Sequence, residues 1–404
     1  METCKPLSGI KVVEIGVAMA GPFCAMLLGD YGADVVKIEK VDGGDDSRAW
    51  PPFFHGELSY YYASANRNKR GVAIDLKQPE GAEVARRIIA DADVLVHNYR
   101  LGALDRLGLD WDSLSKLNPR LVYCGISGFG RAGALRAEPA NDLFMQAFSG
   151  GMSVTGYPDQ PPAKMGWSVA DIGAGMFAAM GVMMALRVRE RTGVGQRVDT
   201  SLLEGQVSMM AHFATRYFAS GLVPGPTGGG SLNSPTYRAY QATDGWIVIA
   251  AFNDRMWRSL ARALGAPEWI DRPEFQSAQQ REDRRPELEA MIAERVARES
   301  QQYWVDTLGR ESVPCSAVQR IDQVISHEQV HACEMIQTVN LEQLGDIRVV
   351  GLPIKLERTP GDIRRPPPRL GQHTREIMEE LGYAHPDIER LAAADAVRLD
   401  AGWK

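Results

Sequence analysis

Cysteine is scarce and scattered. The five positions, Cys4, Cys24, Cys124, Cys315 and Cys333, are odd in number and far apart, with no CxxC pair and no Cys/His cluster. This pattern argues against a zinc site and against a disulfide framework, so no metal is expected, and it suits a reducing cytosol. Positive charge is not in excess either. Lys plus Arg number 45 against 51 Asp plus Glu, a net charge of −6, the wrong sign for a nucleic-acid binder. The first Gly-rich turn, GVAMAGP, lacks the GxGxxG spacing, and no GxxxxGK[ST] occurs, so neither a nicotinamide nor an ATP site is read. METCKPLSGIKVVEIG has no basic segment followed by an apolar run and a cleavage site, and the expectation is a cytoplasmic chain without a signal peptide. A single stretch, residues 165–186, is long and apolar enough to span a membrane. It carries Asp171 and four glycines and has no second span beside it, so a buried helix and no membrane are expected.

Glycine is what the chain has in excess: 40 of 404 residues, against a usual ~7%. Turns, close backbone contacts or moving loops have to account for it. The N-terminal half alternates short apolar runs with amphipathic segments: KVVEIG (11–16), FCAMLLGDYG, DVVKIEK (34–40), PEGAEVARRIIADA (79–92), DVLVHN (93–98), GALDRLG, LVYCGISGFG (121–130). This βαβ pattern implies a doubly wound parallel sheet, which binds ligands beyond the C-terminal ends of its strands. Residues 221–235, GLVPGPTGGGSLNSP, form the clearest linker. Beyond it, YRAYQATDGWIVIAAF reads as a hairpin turning at Asp244-Gly245, then helices complete a small α/β domain. A proline-rich stretch, 364–374, leads to a helical tail.

Asp171 interrupts an apolar run just before Ile172-Gly173-Ala174-Gly175. One reading is an N-cap for a helix over 172–190; the other is a partly buried carboxylate, backed by small residues, acting as a nucleophile toward an activated acyl group. Both stay open at this stage. Gly228-Gly229-Gly230 is either a loose linker or a flap over an active site. Lys40, Arg48, Arg100 and Arg106 each follow an expected strand end, where they can receive an anionic ligand. His97, His212, Cys24 and Cys124 lie in apolar surroundings and are read as core.

Taken together, LSGIKVVEIG, AGPFCAMLLGDYGADVVKIE, NKRGVAIDLKQPEG, HNYRLGALDRLG, NPRLVYCGISGFG, VADIGAGMFAAMGVMMAL, RTGVGQRVDTSLLE and PRLGQHTREIMEELGY resemble the family III CoA-transferases, the group of formyl-CoA:oxalate and carnitine CoA-transferases and, more distantly, the α-methylacyl-CoA racemases. The resemblance runs over essentially the whole chain. It implies a Rossmann-like large domain (1–220), a linker and flap (221–235), a small domain (236–330), and a linker and C-terminal tail (331–404) returning to the large domain. It also implies an interlocked dimer, with an identical or a related chain as partner. The family's catalytic Asp falls on Asp171, and its CoA contacts on Lys40, Ile74, Asn98 and Arg106, with Ala18, Tyr99 and Arg100 nearby; the flap falls on Gly228 to Gly230. Coenzyme A enters as substrate and no prosthetic group is implied. The activity implied is transfer of CoA from an acyl-CoA donor, succinyl-CoA as first guess, to a free carboxylic acid. The alternatives are a racemase or a catalytically silent CoA-binding subunit. The racemases' Gly-His-Asp site reads Ala140-Asn141-Asp142 here, and their catalytic Glu aligns with Asn253, which is neither acid nor base. A glutamine of the formyl-CoA enzyme aligns with Met19, which disfavours oxalate and formate.

Overall fold

The computed structural model describes residues 5–403, so Cys4 lies outside the described residues. Its contacts divide the chain into two units. One contains residues 1–149, 165–215 and 328–404; the other contains 150–164 and 216–327. The segment 150–164, which the sequence reading placed in the large domain, therefore groups with the smaller unit.

The large unit is built on a seven-stranded sheet. Six strands are parallel: β1 (Lys11–Ile15), β2 (Asp34–Glu39), β3 (Lys69–Ile74), β4 (Val94–His97), β5 (Val122–Ser127) and β6 (Arg197–Ser201). Their order is 3-2-1-4-5-6, and a short antiparallel strand, Val397–Arg398, pairs with β3 at the edge. This is the doubly wound Rossmann order, which reverses direction between β1 and β4 and opens a crevice there. β4 and β5 read as almost continuous apolar runs because helices cover both faces.

On one face, α1 (Ala20–Asp30) and α3 (Val169–Thr192) pack over Val12, Val35, Val94, Val96 and Cys124. On the other lies α2 (Pro79–Ala90) with the helices Thr374–Glu380 and His385–Ala393, so the C-terminal tail helps close this core. α1 and α3 cross closely: a Cβ on Gly175 would lie 2.8 Å from the Ala20 carbonyl, and one on Gly173 would lie 2.6 Å from the Met209 methyl. The small residues behind Asp171 thus serve helix packing. By length and composition α3 is apolar enough to cross a membrane, yet Ala170, Ala174, Ala178, Val182 and Ala185 are built into the core.

Under the first turn of α1 the sheet carries charge. Glu14 on β1 stands opposite Lys37 on β2 in the register and contacts it at 2.7 Å, while its other oxygen meets Lys69 of β3 at 2.6 Å. All three side chains are fully buried. Asp45 adds a second carboxylate 3.1 Å from Lys37, so two cations face two anions. Burial works against the Lys37 ammonium, but Glu14, Asp45 and Glu39 outweigh it and raise its pKa. Lys69, with weaker compensation, is lowered by burial to about 8.

In the smaller unit, strands Tyr237–Gln241 and Trp246–Ala250 form the expected hairpin, with Cys315–Ala317 beside the second strand. The glycine run forms a held turn. The Gly228 amide donates to the Gly156 carbonyl at 2.8 Å, Gly228 has φ 62°, and a Cβ there would strike the Tyr157 ring at 2.7 Å. A further hairpin, Ile336–Leu341 with Gly345–Val350, belongs to the large unit and was not read from the sequence.

Removing one partner of a buried charge cluster leaves the others uncompensated, which costs roughly 3–5 kcal/mol. Glu14→Gln strands Lys69 and leaves Lys37 with Asp45 alone, and a loss of that size is expected in urea unfolding; a loss below about 1 kcal/mol would show the cluster to be energetically idle.

Candidate active site

The crevice between β1 and β4 opens into a cavity of 450 Å³ lined by residues 17–20, 98–101, 103, 106, 126–128, 136, 138, 140, 141, 171 and 202. Asp171, Ala18, Asn98, Tyr99, Arg100 and Arg106 therefore share one cavity. Lys40 and Ile74 do not line it. Lys40 is exposed and pairs with Asp46 at 2.6 Å; Ile74 is 1% exposed, packed in the core opposite Val397. The glycine run lies in the other unit.

Asp171 is not the cap of its helix. α3 begins at Val169 with Ser168 as the capping position, and Asp171 sits in the first turn. The capping role is taken from outside, where the Asp142 carboxylate accepts the Ala170 amide at 2.8 Å, a favourable place for an anion at a helix start. Its second oxygen is held by the Gln146 amide at 2.7 Å. Asp171 itself makes no hydrogen bond or ion pair among the described residues. Burial pushes its carboxyl up, and the Asp142 charge adds to this, to about 7. No cation is among the groups that shift it, although Arg100, Arg106 and Arg136 line the same cavity. The cavity thus carries both a carboxylate without a hydrogen-bond partner among the described residues and three arginines.

The β1–α1 turn forms the adjoining wall. Asn98 clamps it: its side-chain oxygen accepts the Val17 amide at 2.9 Å and its amide donates to the Val17 carbonyl at 2.8 Å. The Asn98 side chain is therefore fully engaged by the backbone, and its part in the site is to hold β1's loop against β4's. α1 starts at Ala20 without a side-chain cap, so its first amides have no side-chain acceptor, and Met19 and Ala20 line the cavity at this helix start.

Two residues escaped the sequence reading. Tyr61 shares a hydrogen bond with Ser168, and its hydroxyl is pushed up by burial, with Asp171 and Asp142 pushing the same way. Asp142 was seen only as part of a departure from the racemases. Conversely, Arg48 is no ligand receptor. Its Nε and Nη2 donate to the two Glu39 oxygens at 2.7 Å each, and its guanidinium lies 3.8 Å over the Tyr62 ring. His97 is buried as expected, with its pKa lowered by burial to about 4. His212 is exposed against Phe213, which corrects its reading as core. Asn141 and Asn253, the positions of the racemases' acid and base, both cap helices, accepting from Phe144 at 3.0 Å and Met256 at 2.9 Å.

Residues 7–374 match CoA-transferase family III. The chain is 35% identical over 393 residues to a succinate–glutarate CoA-transferase of Agrobacterium fabrum, covering 96% of this chain and 97% of that one. It is 32% identical over 397 residues to the succinyl-CoA:glutarate CoA-transferase of Mus musculus, covering 98% and 91%. Among solved structures, a CAIB/BAIF family protein from Brucella suis superposes with a TM-score of 0.84 at 34% identity, covering 93% of this chain and 99% of that one. A doubly wound sheet, a cavity at its switch point and matches over nearly the full length lead to one conclusion: the chain belongs to CoA-transferase family III and is a CoA-transferase, moving CoA between an acyl-CoA and an acid.

Proposed function

We propose that Asp171 is the nucleophile of this transfer, that succinyl-CoA is the donor and that the acceptor is a short dicarboxylic acid of the glutarate kind. The observation that carries this reading is a partly buried carboxylate, without a hydrogen-bond partner among the described residues, on the wall of the switch-point cavity. A carboxylate stripped of donors keeps its lone pairs for attack, and desolvation makes it a stronger base and nucleophile. The succinyl and glutarate identities come from the named relatives.

One Asp171 oxygen attacks the thioester carbonyl; the C–S bond breaks and CoA leaves as thiolate, giving a mixed anhydride. The thiolate attacks the Asp171 carbonyl carbon, releasing the donor acid and forming an aspartyl-CoA thioester. The acceptor carboxylate then displaces CoA to make a second anhydride. The returning thiolate attacks the acceptor's carbonyl, giving the new acyl-CoA and free Asp171. Uncapped amides at the start of α1 are suited to stabilise the oxyanions. A carboxylate and arginines in one cavity suit a substrate that carries both a thioester and phosphates, and Ala18, Asn98, Tyr99, Arg100 and Arg106 supply the surrounding wall. Lys40 and Ile74 remain proposed CoA contacts beyond the cavity, and the 228–230 turn a proposed flap. A racemase gains no support, since Asn141 and Asn253 are helix caps.

The assembly proposed is a dimer. Met176, Met180, Met183, Met184 and Val188 form an exposed stripe down α3, each at least 42% accessible, at helical spacing; such a surface fits a second copy of this chain. Sedimentation is expected to give twice the chain mass with this protein alone, and a monomer at micromolar concentration would remove the proposal.

Incubation with succinyl-CoA, then hydroxylamine or borohydride, is expected to label Asp171 in mass spectra of the peptides. The labelling rate rises with pH through a midpoint of about 7, because the attacking form is ionised. Failure of every acyl-CoA to label this residue, with Asp171→Ala still transferring CoA, sinks the mechanism.

A raised carboxyl pKa means that the folded state holds its proton more tightly than the unfolded chain. Stability is therefore lost as pH rises from about 4 towards 7 and above. Asp171→Asn, inactive in transfer, is expected to be more stable than wild type by roughly 2–4 kcal/mol at pH 8, with the gain fading near pH 4. Equal stability at both pH values would contradict the buried, unpartnered carboxylate.

A further inference from the structure

We propose that Asp45 is a positioning residue for CoA transfer, holding Ala18 and the 16–19 turn in the conformation that receives the thioester. The proposal rests on the reading of the Asp171 cavity as the place where CoA binds. Asp45 is 1% exposed and does not line that cavity, so it acts only through what it holds.

Ala18 lines the cavity with φ 60°, a left-handed conformation that a residue with a Cβ adopts only when its surroundings enforce it. The enforcement is visible atom by atom. The Gly16 carbonyl accepts from the Lys37 ammonium at 2.9 Å, and both backbone atoms of Val17 are taken by Asn98. The Ala18 amide donates to the two oxygens of Asp45 at 3.1 and 3.2 Å. Three side chains, from β2, from the loop after it and from the end of β4, thus grip three consecutive residues.

Asp45 is itself fixed more tightly than any cap requires. Its amide donates to Glu39 at 2.9 Å, and Oδ1 accepts the Ser47 amide at 2.9 Å and the Ser47 hydroxyl at 2.7 Å. Oδ2 lies 3.1 Å from the Lys37 ammonium. Burial alone would raise this carboxyl, but Lys37, Ser47 and the Ala18 amide bring it down to about 2. The chain reaches this point through Gly43 and Gly44, both left-handed at φ 70° and 68°, and a Cβ on Gly44 would meet Glu39 at 2.8 Å. The loop after β2 is shaped to deliver a carboxylate beneath the loop after β1. An asparagine in its place would turn an NH2 group toward the Ala18 amide and either the Ser47 donors or the Lys37 ammonium, donor against donor.

A purely structural role for Asp45 and a positioning role differ in their dependence on residue 18. Glycine adopts φ near 60° without strain, so it frees the turn from the need to be held. In a double-mutant cycle, Asp45→Asn is expected to lower kcat/KM about tenfold and to weaken CoA affinity by calorimetry in parallel. In an Ala18→Gly background the same substitution costs about threefold or less. An equal penalty in both backgrounds overturns the proposal. Where Asp45→Asn does not yield folded protein, Ser47→Ala, which removes one bond to Asp45 but keeps the carboxylate, goes through the same cycle. Its penalty of about threefold must then vanish in the Ala18→Gly background. A wild-type protein that binds CoA yet passes it to no acid refutes the functional reading alone, because the affinity cycle still reports on Asp45.

Discussion

Four buried charges under the first turn of α1 set the geometry on which the rest of the site depends. A charge removed from water has to be matched, and Glu14, Lys37, Lys69 and Asp45 match one another two against two. Since Glu14, Lys37 and Lys69 come from three adjacent strands, the cluster also ties β1, β2 and β3 together on the α1 face. Lys37 then reaches the Gly16 carbonyl and Lys69 reaches the Pro22 carbonyl, at 2.9 and 2.8 Å, on either side of the turn that lines the cavity. An apolar cluster of the same volume would fill the space but could not hold those carbonyls. The loop is defined by electrostatics that the sheet register has already placed.

From that fixed loop the site follows by topology. The order 3-2-1-4-5-6 sends the chain in opposite directions from β1, so the loops after β1 and β4 part and leave a crevice between them. Asn98 closes the bottom of the crevice by binding both backbone atoms of Val17. α3 brings Asp171 to the wall because Gly173 and Gly175 let it settle against α1 and Met209. Asp142 then caps α3 in place of Asp171. That substitution of roles matters: the Asp142 carboxylate has its lone pairs occupied by Ala170 and Gln146, whereas Asp171 is left without donors among the described residues and its carboxyl is pushed up by burial to about 7. Its lack of partners among the described residues is a stability cost, of the kind retained where a side chain is kept for activity, which is the role proposed for it above.

The sequence disclosed what periodicity and interruption can disclose. Apolar runs bounded by glycine located β1, β2, β4 and β5 to within a few residues, and the charge inside an apolar run singled out Asp171. β3 was harder, because KRGVAI begins with two cations that look like surface and are buried or paired in the fold. Arg48 and Asp45 were misread or passed over for a related reason: their partners, Glu39, Tyr62 and Ala18, are apart in sequence, and a lone charge after a strand resembles a ligand contact. In SYYYASANRN nothing distinguishes Tyr61 from its neighbours; only the fold turns it toward Ser168. Asn98 was found through the family resemblance, but its work as a backbone clamp is a property of two loops brought together.

α3 joins these levels in one element. Its inward face is made of alanines and glycines that allow close packing on α1, its first turn carries Asp171, and its outward face carries the methionine stripe. On the readings proposed above, the helix that carries the proposed nucleophile is also the one a second chain covers. Methionine suits such a face, being flexible enough to pack against an irregular partner. Assembly would then immobilise the helix from outside while α1 holds it from inside. A carboxylate with no hydrogen bonds of its own has no other means of being aimed, so its direction must come from the rigidity of the backbone that carries it.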